Sequence, residues 1–354
     1  MRAAVIGLPQ SGKSTVFTAA TGLVPPPGEA RRERLGTVRV PEPRLEFLTQ
    51  LYKSKKVTEA VFEFADIPGF SLADPRGQDE LRKHLPAVRK SDVLVAVVRD
   101  FEDELVPAHR DRVDAKADLA ELWNEFLFAD LFTVSNRIEK LEKALSKPTG
   151  THDQEKRELG LLERCRQGLE EGKSLSEIIA NPDEARLVSS FAFLTEKPLV
   201  VVYNVPEERA AEPVRTPPQH AVATLNLCAK TEAEIAQLDP PDRLAFLADL
   251  GLETPARDRL IRACFDALGL IVFLTTGPDE TRAWEIRKGT PAREAAGKIH
   301  SDLARGFIRA ETVAYQDLVE AGDFRSAKAA GKVRQEGKAY VVQDGDVLNI
   351  KFNV

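Results

Sequence analysis

Hydrophobic positions in the first part of the chain fall into short, dense runs separated by polar stretches. Ala3, Ala4, Val5 and Ile6 form one run; Val93, Leu94, Val95, Ala96, Val97 and Val98 form another; Leu199, Val200, Val201, Val202 and Tyr203 form a third. Brief apolar runs of this kind suit parallel strands buried on both faces. Leu35 to Val40, Val57 to Ala65 and Val222 to Leu227 read as further strands. Helical spacing lies between them: Leu45, Leu48 and Leu51 share a face, and Val16 to Ala20 begin a helix. Through residue 99 the order is β-α-β-α-β-α-β, which predicts a doubly wound α/β sheet.

The pattern changes near Lys116. Residues 118–147 contain no proline or glycine, and Leu119, Leu122, Trp123, Phe126, Leu131, Val134, Ile138, Leu141 and Leu145 recur at helical spacing. After Pro148 and Gly150, Leu159, Leu162, Cys165 and Leu169 mark a second helix over 152–171. Two long helices around such a turn predict an antiparallel hairpin inserted into the α/β domain, with shorter helices at 175–179 and 185–194. Its apolar stripe reads first as plain helical core and second as an arm that touches a partner. From Leu268 the chain becomes β-rich. Strands are predicted at 270–275, 283–287, 307–313, 340–342 and 346–352, with a helix over 291–303 and a hairpin turn at Asp344-Gly345. Arg325, Lys328, Lys332, Arg334 and Lys338 cluster there against Glu336 alone, which reads equally as a solvated face or as a contact for RNA or an acidic protein.

Composition narrows the class. At 354 residues, with 43% hydrophobic and 30% charged residues, the chain can bury two or three cores. A net charge of −6 argues against indiscriminate nucleic-acid binding, and no DNA contact is expected. Cys165, Cys228 and Cys264 have no metal-site or disulfide spacing and read as reduced. The lack of a long apolar window or an N-terminal leader predicts no membrane span and a cytoplasmic location.

Chemistry enters with Gly7-Leu8-Pro9-Gln10-Ser11-Gly12-Lys13-Ser14-Thr15, which fits G-x-x-x-x-G-K-[ST] between a strand and a helix. Loop amides and the positive helix end can surround a phosphate. The predicted strand ending at Asp66-Ile67-Pro68-Gly69 supplies a carboxylate for a Mg²⁺ shell and a Gly69 amide for a γ-phosphate. Phe70 follows, where many GTPases carry a water-orienting glutamine, and its ring cannot hydrogen-bond a water. Residues 23–34 hold three prolines and the basic run Arg31-Arg32-Glu33-Arg34, the place of a first switch loop, which reads at least as readily as a mobile surface loop as it does as a source of catalytic arginines. Asn204-Val205-Pro206-Glu207 stands where GTPases carry N-K-x-D. The lysine is replaced by valine and the aspartate by a longer acid, which argues against strong guanine preference. Cys228-Ala229-Lys230 resembles the S-A-K loop beside the base. The expected nucleotide contacts are therefore Pro9 to Thr15, Asn204, Val205, Glu207 and Cys228 to Lys230. Lys13 is expected on the β- and γ-phosphates, with Ser14 and, through water, Asp66 on Mg²⁺.

These motifs, with V-V-R-x-F-E-D at 97–103 and the run from Ala295 through Gly306-Phe307-Ile308-Arg309 to Asp346-Val347, resemble the YchF/Obg-like ATPase family. The resemblance implies a nucleotide-binding G domain at 1–117 and 195–267, a helical insertion at 118–194 and a C-terminal TGS domain of β-grasp fold at 268–354. It also implies Mg²⁺-dependent hydrolysis with ATP preferred over GTP. Association with ribosomes through the arm and the TGS domain is implied too, by a chain expected to be monomeric. Three departures stand out. Gln10-Ser11 replaces the family's usual Asn-Val. Thr37 is the nearest substitute for the switch threonine that would bind Mg²⁺. Ser71 to Gly77 lacks the usual glycine-rich sequence. Two further readings remain: a nucleotide-gated binding module with negligible hydrolysis, and a conventional GTPase.

Overall fold

The computed structural model describes residues 1–24, 32–69, 75–146, 152–213 and 215–353. Phe70, Ser71 to Asp74, the prolines of 25–27 and the turn at 147–150 lie outside them. In chain order the elements begin with β1 (Arg2–Ile6), α1 (Lys13–Thr21), β2 (Arg34–Arg39), α2 (Arg44–Tyr52), β3 (Lys56–Thr58), β4 (Val61–Asp66), α3 (Pro75–Arg89) and β5 (Val93–Arg99). Next come α4 (Ala115–Leu145), α5 (His152–Glu170), α6 (Leu175–Ile178), α7 (Pro182–Val188), β6 (Leu199–Asn204), β7 (Ala223–Leu227), α8 (Ala229–Ile235), α9 (Pro240–Asp249) and α10 (Ala256–Ala267). The last stretch holds β8 (Leu270–Thr275), β9 (Glu280–Arg287), α11 (Ala292–Ile299), α12 (Ser301–Arg305), β10 (Phe307–Ala314), α13 (Tyr315–Ala321), α14 (Phe324–Ala329), β11 (Arg334–Glu336) and β12 (Asp346–Phe352).

Two compact units result. One comprises Met1–Gly36 and Glu63–Cys264, the other Thr37–Phe62 and Phe265–Val354. The first sheet runs β2-β4-β1-β5-β6-β7, with β1 parallel to β4 and β5, and β6 parallel to β5 and β7. Every residue of β5 and β6 is buried, as unbroken β-branched runs require when helices cover both faces. Gly22 ends α1 in the left-handed region, with its N–H bonded to the Thr18 carbonyl at 2.7 Å. Asp114 starts α4 by accepting from the Ala117 N–H at 3.0 Å.

The described residues of the helical insertion share a core with the sheet. Trp123, Phe126, Val134 and Ile138 of α4 and Leu162, Cys165 and Leu169 of α5 belong to one cluster with Leu8, Ile67 and Val98 of the sheet side. Arg137 clamps Glu158 with two bonds of 2.7 and 2.8 Å, joining the two long helices. Asp130, wholly buried within the α4 stripe, accepts from the Thr195 N–H and hydroxyl at 2.8 and 2.9 Å and faces Arg89 at 3.1 Å.

The second unit is a mixed sheet in the order β11-β10-β12-β8-β9-β3. Phe273, Trp284, Ile286, Ala295, Ala296 and Leu348 pack α11 against it. Three expectations need correcting. The single strand expected over 57–65 is two strands in different sheets: β3 pairs with β9, and β4 pairs with β1. Between them the Ala60 carbonyl turns to accept from the Val40 N–H at 2.8 Å. The strand expected at 340–342 is one isolated bridge between Val341 and Pro291, so Asp344-Gly345 closes no hairpin and instead leads into β12. The helix expected over 291–303 breaks at His300, whose backbone is extended and whose Nδ1 accepts from the Asp302 N–H at 3.2 Å to cap α12.

Candidate nucleotide site

Strand C-termini of the first sheet deliver each candidate residue. The loop after β1 turns on two residues with positive φ, Gln10 (63°) and Gly12 (88°). Glycine is required at two places. A Cβ on Gly7 would stand 2.5 Å from the Val97 carbonyl oxygen, and one on Gly12 would stand 2.2 Å from Asn204 Nδ2. Lys13 opens α1. Its Nζ lies against Gly69, where a Cβ would be only 2.8 Å away. Burial pushes the Lys13 ammonium below its ordinary pKa, with Asp66 working against that shift and Arg34 reinforcing it. Ser14 follows in the first turn, its carbonyl accepting from the Thr18 hydroxyl at 3.1 Å.

Asp66 ends β4 in register with Val5 of β1 and is 3% exposed. Its Oδ2 accepts from Arg34, while Oδ1 is buried and has no hydrogen-bond partner among the described residues. Such an orphaned carboxylate oxygen fits a group that accepts from a metal's water shell. Among the described residues no three His, Cys, Asp or Glu side chains cluster as a metal cage. Thr37 is an exposed residue within β2 and falls in the other unit; the side chain from the first switch region that reaches Asp66 is Arg34.

Asn204, at the end of β6, ties the site together. Its Nδ2 donates to the Ser11 carbonyl at 3.0 Å, and its Oδ1 accepts from the Ala229 N–H at 3.0 Å. The residue is a strut between the phosphate loop and the start of α8, with both polar atoms satisfied by backbone. Val205 is buried beside it, and its N–H reaches the Leu227 carbonyl at 3.0 Å. Glu207 Oε2 accepts from the Thr231 hydroxyl at 2.5 Å, and that hydroxyl sits 3.3 Å from Cys228 Sγ.

A cavity of about 600 Å³ opens over these elements, within the range of small-ligand sites. Gln10, Gly12, Thr15, Asn204, Val205, Glu207, Cys228, Ala229 and Lys230, all expected to contact nucleotide, share its wall. Pro9, Ser11, Lys13, Ser14, Asp66 and Gly69 lie outside this lining.

Several residues were not foreseen as part of the site. Phe101, Glu102, Asp103, Val106, Pro206, Thr231 and Glu234 complete the wall. Arg99 shapes it from behind. Only 3% exposed, Arg99 lies over the Phe101 ring at 4.5 Å and donates to the Phe101 carbonyl at 3.0 Å and the Pro107 carbonyl at 3.3 Å. An arginine closing an otherwise apolar strand was the available sequence signal.

Known proteins resemble this arrangement along its whole length. A model described as 50S ribosome-binding GTPase matches residues 2–136, and the YchF-GTPase C-terminal model, described as a protein of unknown function (DUF933), matches 270–353. The chain is 38% identical to the ribosome-binding ATPase YchF of Bacillus subtilis, over 100% of both chains. It is 35% identical to Obg-like ATPase 1 of Oryza sativa subsp. japonica, over 100% of this chain and 92% of that one. The solved structure of the Schizosaccharomyces pombe YchF GTPase superposes with a TM-score of 0.82 at 26% identity, covering 99% of this chain and 97% of that one. Phosphate loop, orphaned Asp66 and the Asn204 strut thus stand within a sequence that matches these relatives end to end, and the chain belongs to the YchF/Obg-like ATPase family.

Proposed function

We propose that this protein binds a Mg²⁺–nucleotide in the cavity beside α1, prefers ATP to GTP, hydrolyses it slowly and acts with ribosomes in translation or its regulation under stress. The observation that carries the base preference is the end of β6. Asn204 is spent on backbone, Val205 stands in place of the lysine, and Glu207 is held by Thr231. A guanine-selective site needs a carboxylate free to accept from the base N1–H and N2–H, and each buried hydrogen bond left unmade costs about 1–3 kcal/mol. The names of the bacterial and rice relatives, ribosome-binding ATPase and Obg-like ATPase, support the same reading.

Lys13 would hold β- and γ-phosphate oxygens together with the loop amides at the start of α1. The Gly69 N–H would meet the γ-phosphate. Ser14 and, through water, Asp66 would hold Mg²⁺, which supplies neutralisation of charge on the phosphate oxygens. Calorimetric titration with ADP and GDP tests the preference, and tighter GDP binding would sink it.

The three-part division into nucleotide domain (1–117 and 195–267), arm (118–194) and TGS domain (268–354) goes with this proposal, as do a monomeric state and a cytoplasmic location. Ribosomal contact is assigned to the arm and the TGS domain. Phe128 and Phe132 of α4, 64% and 71% exposed, support a contact role for the arm. Co-sedimentation with ribosomes under each nucleotide, at stated salt, checks it. A second reading, a nucleotide-gated module with negligible hydrolysis, is favoured by Phe70, which offers no group to orient water. Turnover that stays negligible with ribosomes added would select it.

A further inference from the structure

Arg34, the last residue of the basic run of the first switch region, begins β2. Its guanidinium donates from Nη2 to Asp66 Oδ2, and the two side chains are 13% and 4% exposed. The same guanidinium lies 5.2 Å from the centroid of the Phe17 ring on α1. The cation is thus fixed by a carboxylate on one strand and an aromatic face on the helix that follows the phosphate loop. Lys13, Arg34 and Asp66 together give a net charge of +1 beside the loop. A buried aspartate without a counter-ion would be costly, and Arg34 provides that counter-ion.

We propose that Arg34 is a positioning residue that stands in for the divalent cation on Asp66 in the nucleotide-free protein and competes with it when nucleotide binds. This rests on the reading of Gly7 to Thr15 as a Mg²⁺–nucleotide loop. Arg34 occupies Oδ2 and leaves Oδ1 without a partner, so a hydrated cation at Oδ1 would share one carboxylate with the guanidinium, and two cations at one carboxylate repel. Mg²⁺ therefore binds against the charge of Arg34 or displaces it, and part of its benefit to nucleotide binding is lost in either case. Arg34 also supplies positive charge to phosphate without a metal.

ADP affinity measured calorimetrically in EDTA and in excess MgCl₂ gives a ratio for each protein. For the wild type the expected ratio is below about threefold, whereas for Arg34→Ala it is about tenfold or more, because Mg²⁺ meets no competitor at Asp66. Arg34→Lys keeps the charge and should stay near the wild type. A merely structural role would lower stability without moving this ratio. Scanning calorimetry without nucleotide gives an independent measurement: MgCl₂ should leave the wild-type melting temperature unchanged and raise that of Arg34→Ala. Equal ratios in wild type and Arg34→Ala would overturn the proposal. So would a clear Mg²⁺-induced rise in the wild-type melting temperature, a result that needs no variant to fold. Absence of ADP binding under every condition would overturn the nucleotide reading along with it, whereas binding with equal ratios overturns only the role of Arg34.

Discussion

Replacing Asn204 with alanine removes two buried hydrogen bonds in one step. It leaves the Ser11 carbonyl and the Ala229 N–H without their partners, each previously bonded at 3.0 Å. Ala229 is the first residue of α8, so its N–H has no intrahelical acceptor to fall back on. Each orphaned group costs about 1–3 kcal/mol, and the adjoining cavity admits water to part of the gap, so the expected loss is about 2–4 kcal/mol of folding stability. Losing the strut also frees the phosphate loop from the β7–α8 connection. ADP affinity should therefore fall about tenfold, equivalent to about 1.4 kcal/mol. Urea denaturation and calorimetric ADP titration read the two effects separately. Asn204→Asp is a sharper control. It keeps an acceptor for the Ala229 N–H but turns a carboxylate oxygen toward the Ser11 carbonyl, so stability should fall at least as far as with alanine. If Asn204→Ala changes both quantities by less than about 0.5 kcal/mol, as ordinary surface substitutions do, the strut argument is refuted.

Three further outcomes are expected. Val205→Lys combined with Glu207→Asp should move preference from ADP toward GDP in competition titrations; an unchanged preference would place base selection elsewhere. In the native protein a thiol reagent such as Ellman's should modify Cys228 alone and be blocked by ADP. Cys228 lines the cavity, whereas Cys165 and Cys264 are buried, and burial pushes the Cys165 thiol up to about 11. Asp118 titrates above the ordinary carboxylate range, chiefly through burial, with His109 and Arg112 opposing and Glu121 and Asp114 adding to the shift. The folded state then holds that proton more tightly than the unfolded state, so ionisation subtracts stability as pH rises from the unfolded value through the folded one. Urea midpoints of Asp118→Asn should gain on the wild type from pH 4 to pH 7, and an unchanged difference between the two would refute that sign.

The fold was legible where periodicity and burial agree. The buried runs ending at Arg99 and Asn204 gave the parallel strands, and the spacing from Leu119 to Leu145 gave α4. Sequence could not show that apolar residues of α4 join the core of the sheet, because that depends on which faces meet. Nor could it split the run from Val57 to Ala65, whose alternation continues smoothly while its ends join different sheets. The phosphate loop, Asp66 and the β6 terminus were legible as motifs because backbone geometry restricts which residues fit there. The role of Asn204 was not, since it is defined by a bond to a carbonyl 193 residues away. Arg34 and Arg99 stood within noted stretches, the basic run and V-V-R-x-F-E-D, but their buried contacts were not legible for a related reason. A charged side chain is read as solvated unless its buried partner is known.

The pairing of β3 with β9 also sets a schedule for synthesis. Lys56, Val57 and Thr58 lie in register with Glu280, Thr281 and Arg282, partners that leave the ribosome more than two hundred residues later. At ~20 residues per second the wait is roughly ten seconds, and at ~5 per second roughly four times longer. Throughout that interval a nascent strand with an exposed Val57 has no native neighbour, while β4 can already pair with β1. The three-residue length of β3 and the lysines at its start, Lys55 just before it and Lys56 as its first residue, make it a poor template for stray strands during that wait.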